Sequence, residues 1–546
     1  MNIGIDFDNT IARYDNLFKE IALSEGFINK GWDGSGKREL RNYLLKLTDG
    51  EKTWMKLQGL IYGKYMHRAE LMPGVANFLL QCKLRNYPVF IVSHKTEFGH
   101  FDPEKIPLRK EAMKWMQMKR FFDSQNFGIN KHNIHFANTR DEKVEKIAQL
   151  NCTFFIDDLP EVFRYPLFPN KTKKILFDKF SYSNYDKTIN IFESWSNISN
   201  HIIRDTSTDD ILLWINSFWH LPSAKLLKIS GRGNSQIYKL TAGDKNKYAV
   251  KVYPDKSTDN RERLKIEYAT ITLLNNEGFR NIPKAVSKDD DLNIGVYSWI
   301  NGSEIQSVDQ RDLDQAIAFI RSLHILSTNN PSCSPSLASG ACLSAKSLLK
   351  QIELRLKRLQ SIAINNQSLN LFLKNIFIPL LKRVKTENLI LWPKSSRDRK
   401  LNAKYRILSP SDFGFHNALQ ENDGKLIFID FDYFGWDDPV KLTADFLWHP
   451  AMELNLEITA KWKKAMVDKF TIDPDFKDRL HAAMPFYGLR WAMIILNEFL
   501  PGFAERRKNA WETDSYDLKK SQSIQLIKAK QYCKHVEKLI PKLMVS

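Results

Sequence analysis

The chain is 546 residues long, 43% hydrophobic and 12% aromatic, with a formal net charge of +18. That length exceeds a single ordinary core, so two or three domains are expected, and the composition excludes a disordered or low-complexity chain. No apolar stretch is long enough to cross a bilayer, and the start, Met1-Asn2-Ile3-Gly4-Ile5-Asp6, lacks the basic, apolar and small-residue succession of a signal peptide.

Strand-like and helix-like segments alternate over residues 1–195, which predicts an α/β unit with a parallel sheet flanked by helices. The expected strands are Ile3–Phe7, Val89–Ser93, Ile134–Ala137 and Thr153–Ile156. Between the first two, residues 14–70 read as mostly helical, broken at Gly31-Trp32-Asp33-Gly34-Ser35-Gly36. An insertion of this size and place can cover an active site.

Asp6 and Asp8 stand at i and i+2 at the end of a buried strand, where a tight turn returns the second carboxylate to the first. One can attack phosphorus and the other can serve as acid and base. Ser93 and Lys143 can hold phosphoryl oxygens, and Asp157-Asp158 supplies hard oxygen ligands for Mg²⁺. Singly each is ordinary turn chemistry; all four in order, at or beside strand ends, point to phosphate chemistry.

These residues resemble the four motifs of the haloacid dehalogenase superfamily: Asp6-Phe7-Asp8-Asn9-Thr10, Ser93, Lys143 and Asp157-Asp158. The resemblance implies a Rossmann-like domain over residues 1–195, with 14–70 as a small helical cap. It implies a Mg²⁺-dependent phosphatase with Asp6 as nucleophile and Asp8 as general acid/base. The metal would be held by Asp6, the Asp8 carbonyl, Asp157 and Asp158. Lys146, one helical turn on, is an alternative to Lys143.

A polar segment, Ser194–Ser207, is the expected domain junction, with residues 196–210 as the linker. Beyond it Leu226–Tyr253 reads as a small antiparallel sheet, and from Asp312 onward the periodicity is helical. The string Ser230-Gly231-Arg232-Gly233-Asn234-Ser235 forms a loop whose amides can approach phosphates, although such strings are mostly turns. Lys251 lies inside the apolar strand Tyr248–Tyr253, an expensive place for an unpaired cation, and Glu267 is its candidate partner. Asp412 and Asn417 share one loop, and the strand Lys425–Ile429 delivers Asp430. A lysine for nucleotide phosphates, a base for an alcohol and oxygen ligands for Mg²⁺ make up the kit for phosphoryl transfer from ATP.

This second set resembles the aminoglycoside phosphotransferase and choline kinase group of protein-kinase-like enzymes. The resemblance implies a two-lobed α+β domain over residues 211–546, with an N-lobe at 211–302 and a helical C-lobe at 303–546. Lys251 and Glu267 would form the ion pair, Asp412 would be the catalytic base, and Asn417 and Asp430 the Mg²⁺ ligands. Gly231, Gly233, Asn234, Trp299 and Ile300 would contact ATP, the last two in the adenine-binding hinge Val296–Gly302. Asp437-Asp438-Pro439 and Ala444-Asp445-Phe446 match structural elements of the group. The chain departs from it in having Pro410-Ser411 where the group has His-Gly before the aspartate. His416, directly before Asn417, is expected to pack the loop rather than catalyse.

Together the two sets predict a bifunctional cytoplasmic enzyme, an ATP-dependent small-molecule kinase joined to a phosphatase, acting on a sugar, polyol or amino alcohol. The Lys- and Arg-rich stretch Leu343–Arg406 argues against a polycationic substrate and toward a neutral or phosphorylated one. Two alternatives stand beside this reading: one module regulating the other, and a basic nucleic-acid-binding protein. Charge alone supports the latter, and the densest basic run, 394–406, reads as a solvated loop. Five scattered cysteines without metal-ligand spacing favour free thiols in a reducing compartment.

Overall fold

The computed structural model describes residues 1–544 except 30, 35, 103, 179–187, 204–210, 216–223, 230–234, 244–245, 255–258, 260, 331–335 and 501–516. Gly231, Gly233 and Asn234 of the expected nucleotide loop lie outside the described residues.

The N-terminal unit is built on a six-stranded parallel sheet of β1 (Ile3–Ile5), β2 (Val89–His94), β3 (Ile134–Ala137), β4 (Phe154–Asp157), β5 (Lys173–Phe177) and β6 (Ile189–Phe192). The spatial order is β3-β2-β1-β4-β5-β6. Ile3 and Ile5 are fully buried, as a strand covered by helices on both faces requires. Gly4 is dictated by its neighbour: a Cβ there would lie 2.4 Å from the Phe155 ring on β4. The strand order reverses between β1 and β4, and open α/β sheets bind ligands in the crevice beyond the carboxyl ends of such a pair. Asp6 follows β1, and its N–H donates to the Ile156 carbonyl of β4 (2.8 Å).

The segment after β1 forms helices at Asp15–Ser24, Gly36–Leu44 and Gly50–Tyr62. Its two ends are tied together where Ala12–Arg13 pairs antiparallel with Glu70–Leu71. The segment expected as a linker differs in its first half, since Trp195–Ile202 is a helix. Trp195 and Ile198 are fully buried, and the Trp195 indole N–H donates to the Thr10 carbonyl (3.0 Å). Two large apolar side chains amid polar neighbours suffice to dock it, which an average over composition conceals.

The second unit begins with β7 (Lys225–Ile229), β8 (Gln236–Ala242), β9 (Asn246–Val252), β10 (Ala285–Asp289) and β11 (Ile294–Ser298). They form an antiparallel sheet in the order β10-β11-β9-β8-β7, and helix Arg263–Asn276 follows β9. Tyr238, Leu240, Val250, Ile294 and Val296 pack into one core with the N-terminal unit. At the rim of the contact Lys119 of the N-terminal unit pairs with Asp291 (3.2 Å), and beside it the Trp214 indole N–H donates to Asp289 (2.8 Å).

The remainder is helical, with long helices at Gln310–Asn329, Ala345–Ala363, Leu456–Lys469, Phe476–Ile495 and Leu518–Met544. A small sheet of Gly302–Glu304, Ala418–Glu421 and Leu426–Phe428 and a ladder of Ile407–Ser409 with Gly435–Asp437 carry the functional loops. The basic run 394–406 is not wholly solvated: Arg397 and Arg406 each donate to backbone carbonyls, Arg406 to Leu401 at 2.8 and 3.0 Å. Cys82, Cys152, Cys342 and Cys533 are buried free thiols, and Cys333 lies outside the described residues. Among the described residues no helix is long and apolar enough to cross a membrane.

Candidate functional site

Beyond β1 and β4 the structure gathers Asp6, Asp8, Asp157, Asp158 and Lys143, with Ser93 on the adjacent strand β2. Asp6 and Asp157 are joined by Lys143, whose Nζ lies 2.6 Å from Asp6 Oδ1 and 2.7 Å from Asp157 Oδ2. Lys143 sits on the helix Arg140–Gln149 and its side chain is 2% exposed. Burial alone would discharge such a lysine; the two carboxylates outweigh it and hold the ammonium charged. Lys146 enters none of these contacts. Ser93 is buried near the end of β2, two residues past the Ile5–Ile91 pair.

Oxygens of Asp6, Asp157 and Asp158 lie within 4.8 Å of one another. Burial raises the pKa of Asp158 to about 7, with Asp157 adding repulsion. Burial also raises that of Asp6, with Lys143 opposing and Asp157 and Asp158 adding to the rise. Crowded carboxylates under-neutralised by one lysine fit a divalent cation with hard oxygen ligands.

Asp8 is held separately. The Tyr14 hydroxyl donates to its Oδ1 at 2.5 Å, and Lys95 Nζ lies 2.8 Å from Oδ2. Lys37 of the insertion donates to Asn9 Oδ1 (3.3 Å) and to the Tyr62 hydroxyl (3.1 Å). The insertion therefore closes over the carboxylates with Tyr14, Lys37 and Tyr62. Sequence reasoning missed these three and Lys95; only the place of Lys95, two residues after Ser93 at a strand end, carried a usable signal.

The second cluster repeats the device. Lys251 Nζ on β9 lies 2.6 Å from Glu267 Oε2 and 2.6 Å from Asp430 Oδ1. Burial opposes the charge on Lys251, but Asp430 and Glu267 raise its pKa well above the usual value. Tyr253 also donates to Glu267 Oε2 (2.7 Å). Asp432 joins Glu267 and Asp430 within 4.8 Å; it pairs with Arg263 through Oδ2, while its buried Oδ1 has no hydrogen-bond partner. Burial first, then repulsion from Asp430, raises its pKa to about 7. An orphaned carboxylate oxygen beside two further carboxylates fits a bound cation, and Asp432 was not among the expected ligands.

Asp412 stands on the loop between Ile407–Ser409 and Ala418–Glu421. Ser411 before it has φ 67° and Asp430 has φ 68°, a left-handed conformation that costs an L residue roughly 1–2 kcal/mol. Ser411, where the resembled group has glycine, is held by Lys441 Nζ donating to its Oγ (2.7 Å) and by its own donation to the Ser339 carbonyl (3.2 Å). The Asn417 amide donates to the Asp412 carbonyl (2.9 Å), and its own carbonyl accepts from Ile429 N–H beside Asp430 (2.9 Å).

His416 differs from its expected packing role: its Nε2 lies 3.1 Å from Asp412 Oδ1. Its ring folds back over Gly414, where a Cβ would meet ring atoms at 2.8 Å. His449 stacks on it at 3.7 Å with planes 5° apart and places Nε2 3.6 Å from the same oxygen. The His449 Nδ1 accepts from Ala451 N–H (3.2 Å), so its proton sits on Nε2 and points at Asp412. Parallel rings aim their lone pairs side by side, so the pair suits donation to Asp412 better than chelation of a metal. Burial opposes ionisation of Asp412, yet His416, His449 and Lys441 hold its pKa well below the usual carboxylate range.

Trp299 and Ile300 follow β11, and Lys239 Nζ lies 4.8 Å from the centre of a Trp299 ring. Among the described residues no hydrogen bond or ion pair joins them to Lys251 or Asp430.

Residues 225–456 match the model of a family described as the phosphotransferase enzyme family. The C-terminal part of the chain thus carries a kinase-like phosphotransferase domain. Among solved structures the chain is similar to a choline/ethanolamine kinase family protein from Mesorhizobium loti at 14% identity, covering 62% of this chain and 99% of that one with a TM-score of 0.39. It is also similar to a choline kinase from Cryptosporidium parvum Iowa II at 12% identity, covering 62% and 99% with a TM-score of 0.40. A spectinomycin phosphotransferase in complex with ADP and its substrate aligns at 14% identity over 59% and 93%, with a TM-score of 0.37. Among curated proteins none matches the chain.

Proposed function

We propose that the chain is a bifunctional phosphate-transfer enzyme: the C-terminal domain phosphorylates a hydroxyl of a small molecule from ATP, and the N-terminal unit hydrolyses a phosphate monoester. The observation that carries this reading is the pair of strand-end carboxylate clusters, each bridged by one buried lysine.

In the C-terminal domain Lys251, fixed by Glu267, binds nucleotide phosphates. Asp412 accepts the proton of the acceptor hydroxyl, and His416 and His449 orient its carboxylate. Asp430, Asn417 and Asp432 would hold Mg²⁺, which when bound offsets charge on the transferred phosphoryl group. Trp299 and Ile300 are proposed to flank the adenine, with Gly231, Gly233 and Asn234 over the phosphates.

In the N-terminal unit, proposed as a haloacid dehalogenase-type phosphatase, Asp6 attacks phosphorus and forms an aspartyl-phosphate. Asp8 protonates the leaving alcohol and then deprotonates the water that releases phosphate. Ser93 and Lys143 hold phosphoryl oxygens, while Tyr14 and Lys95 orient Asp8. Asp6, the Asp8 carbonyl, Asp157 and Asp158 would hold Mg²⁺, which supplies charge neutralisation between nucleophile and phosphate.

Asp6→Asn is expected to abolish release of phosphate from monoesters and leave ATP-dependent transfer intact; Asp412→Asn does the reverse. Loss of both activities in either variant would favour a second reading, in which one module regulates the other across the core they share.

A further inference from the structure

Arg355 differs from the other enclosed arginines of the helical lobe. It is half-buried on the helix Ala345–Ala363, one turn after Gln351 and three residues before Arg358. Among the described residues no carboxylate lies within 4 Å of its guanidinium, and it makes no hydrogen bond. By contrast, Arg490 opposite is held by Asp445 (2.9 Å), and Arg479 by Asp438 and Asp473.

The helix is tied, one turn before Arg355, to the loop that also holds Ser411. Gln351 Nε2 donates to the Gly340 carbonyl (2.9 Å), and its Oε1 accepts from Arg490 Nε (3.2 Å). In the same loop the Ser339 carbonyl accepts from Ser411, the neighbour of Asp412, and Ser339 N–H donates to the Tyr433 carbonyl (3.0 Å). Burial, then repulsion from Arg490 and Arg358, pushes the Arg355 pKa down to about 10, and Tyr433 is near enough to oppose that shift. A guanidinium that protein acceptors leave unpaired, and that like charges press upon, is suited to an anion.

We propose that Arg355, backed by Arg358 and Arg490, forms an anion-binding subsite of the kinase cleft, and that the acceptor carries an anionic group besides the hydroxyl it offers. This rests on the kinase reading above and narrows its substrate class. With a phosphate monoester as acceptor, the γ-phosphoryl group passes from ATP to the free hydroxyl, whose proton goes to Asp412, and the products are ADP and a bisphosphate. A bisphosphate is in turn a phosphate monoester of the class the N-terminal site would hydrolyse.

The test uses the full chain and phenylglyoxal, which adds to unpaired guanidinium groups, with modified peptides read by mass spectrometry. Arg355 is expected to be modified quickly, while Arg263 and Arg479, held by carboxylates, stay slow. D-glucose 6-phosphate, D-gluconate or inorganic phosphate should slow modification at Arg355, whereas D-glucose should not; whether the phosphate ester or the carboxylate protects better separates the two anion sources. Modification of Arg355 as slow as that of Arg263 without ligand, equal protection by glucose, or protection by none of the anions overturns the proposal. Binding of Mg-ATP to the same protein, and its loss in Asp430→Asn, is measured beside it. If Mg-ATP does not bind, the kinase reading falls, while the labelling still decides the anion subsite.

Discussion

The two clusters use one electrostatic device in two surroundings. In each, a lysine bridges carboxylates contributed by different elements, so the cation both neutralises them and fixes the elements in register. At the N-terminal site the bridge is sealed, with side-chain exposures of 7% for Asp6 and 0% for Asp157. At the C-terminal site Lys251 spans Glu267 at 4% and Asp430 at 35%, so one end meets solvent. The same pairing is thus enclosed in the first and open to solvent at one end in the second.

Replacing each lysine by methionine exposes that difference. Lys143→Met leaves two buried carboxylates without their cation, a change expected to cost about 3–5 kcal/mol. Lys251→Met should cost clearly less, because Asp430 can be hydrated, while abolishing nucleotide-dependent transfer. Denaturant unfolding of both variants checks this; equal losses would mean that exposure does not distinguish the sites.

The proposed bases differ in their donors, Tyr14 and Lys95 for Asp8 but two imidazoles for Asp412. Burial, then the neighbouring His416, lowers the His449 pKa from 6.5 to about 4, with Asp412 opposing. Between those values the unfolded chain binds this proton and the folded one does not, so the contribution of His449 to stability rises with pH from about 4 to 6.5 and is flat above. The gain is on the order of 3 kcal/mol. Asp412 contributes below this range, since a depressed carboxylate loses its stabilisation only as pH falls under the usual carboxylate value. Asp158 and Asp432, both raised to about 7, pull the total slope the other way over this range. The His449 contribution is therefore read as the difference in unfolding free energy between wild type and His449→Gln, which should widen by up to about 3 kcal/mol between pH 4 and 6.5.

A smaller effect is expected from Tyr14→Phe, which removes one hydrogen bond to Asp8 but keeps the ring against Tyr62. A bond to a charged group is worth about 1.5–3 kcal/mol, so phosphatase turnover should fall roughly tenfold or more while kinase turnover is unchanged. An unchanged phosphatase rate would remove Tyr14 from the site.

Legibility followed the same divide. Asp6, Asp157, Lys251 and Asp430 stood out because a carboxylate at the end of an apolar strand, or a lysine within one, conflicts with its surroundings unless it has work to do. The parallel sheet was legible for the same local reason, in runs such as Ile3-Gly4-Ile5 and Phe155-Ile156. His449, Lys37 and Arg355 carry no such conflict: each sits on a helix, at a helix end or in a loop with ordinary polar neighbours, and only tertiary packing brings it near a carboxylate or another cation. Helix Trp195–Ile202 was hidden likewise, since its buried side chains are two among polar ones.

Ser411 tests whether the loop before Asp412 pays for its shape. In Ser411→Ala the left-handed strain remains and both Oγ hydrogen bonds vanish, though Lys441 keeps Asp437 at 3.0 Å and Asp445 at 3.3 Å. Two lost hydrogen bonds suggest a loss of about 2 kcal/mol. Ser411→Gly loses the same bonds but adopts positive φ freely, recovering roughly 1 kcal/mol. The alanine variant should therefore be the less stable, by about the strain energy, and the difference between the two denaturant midpoints measures that strain without reference to the hydrogen bonds. Equal stabilities would mean that the lysine and carbonyl contacts alone, and not the backbone conformation, hold Asp412 in place.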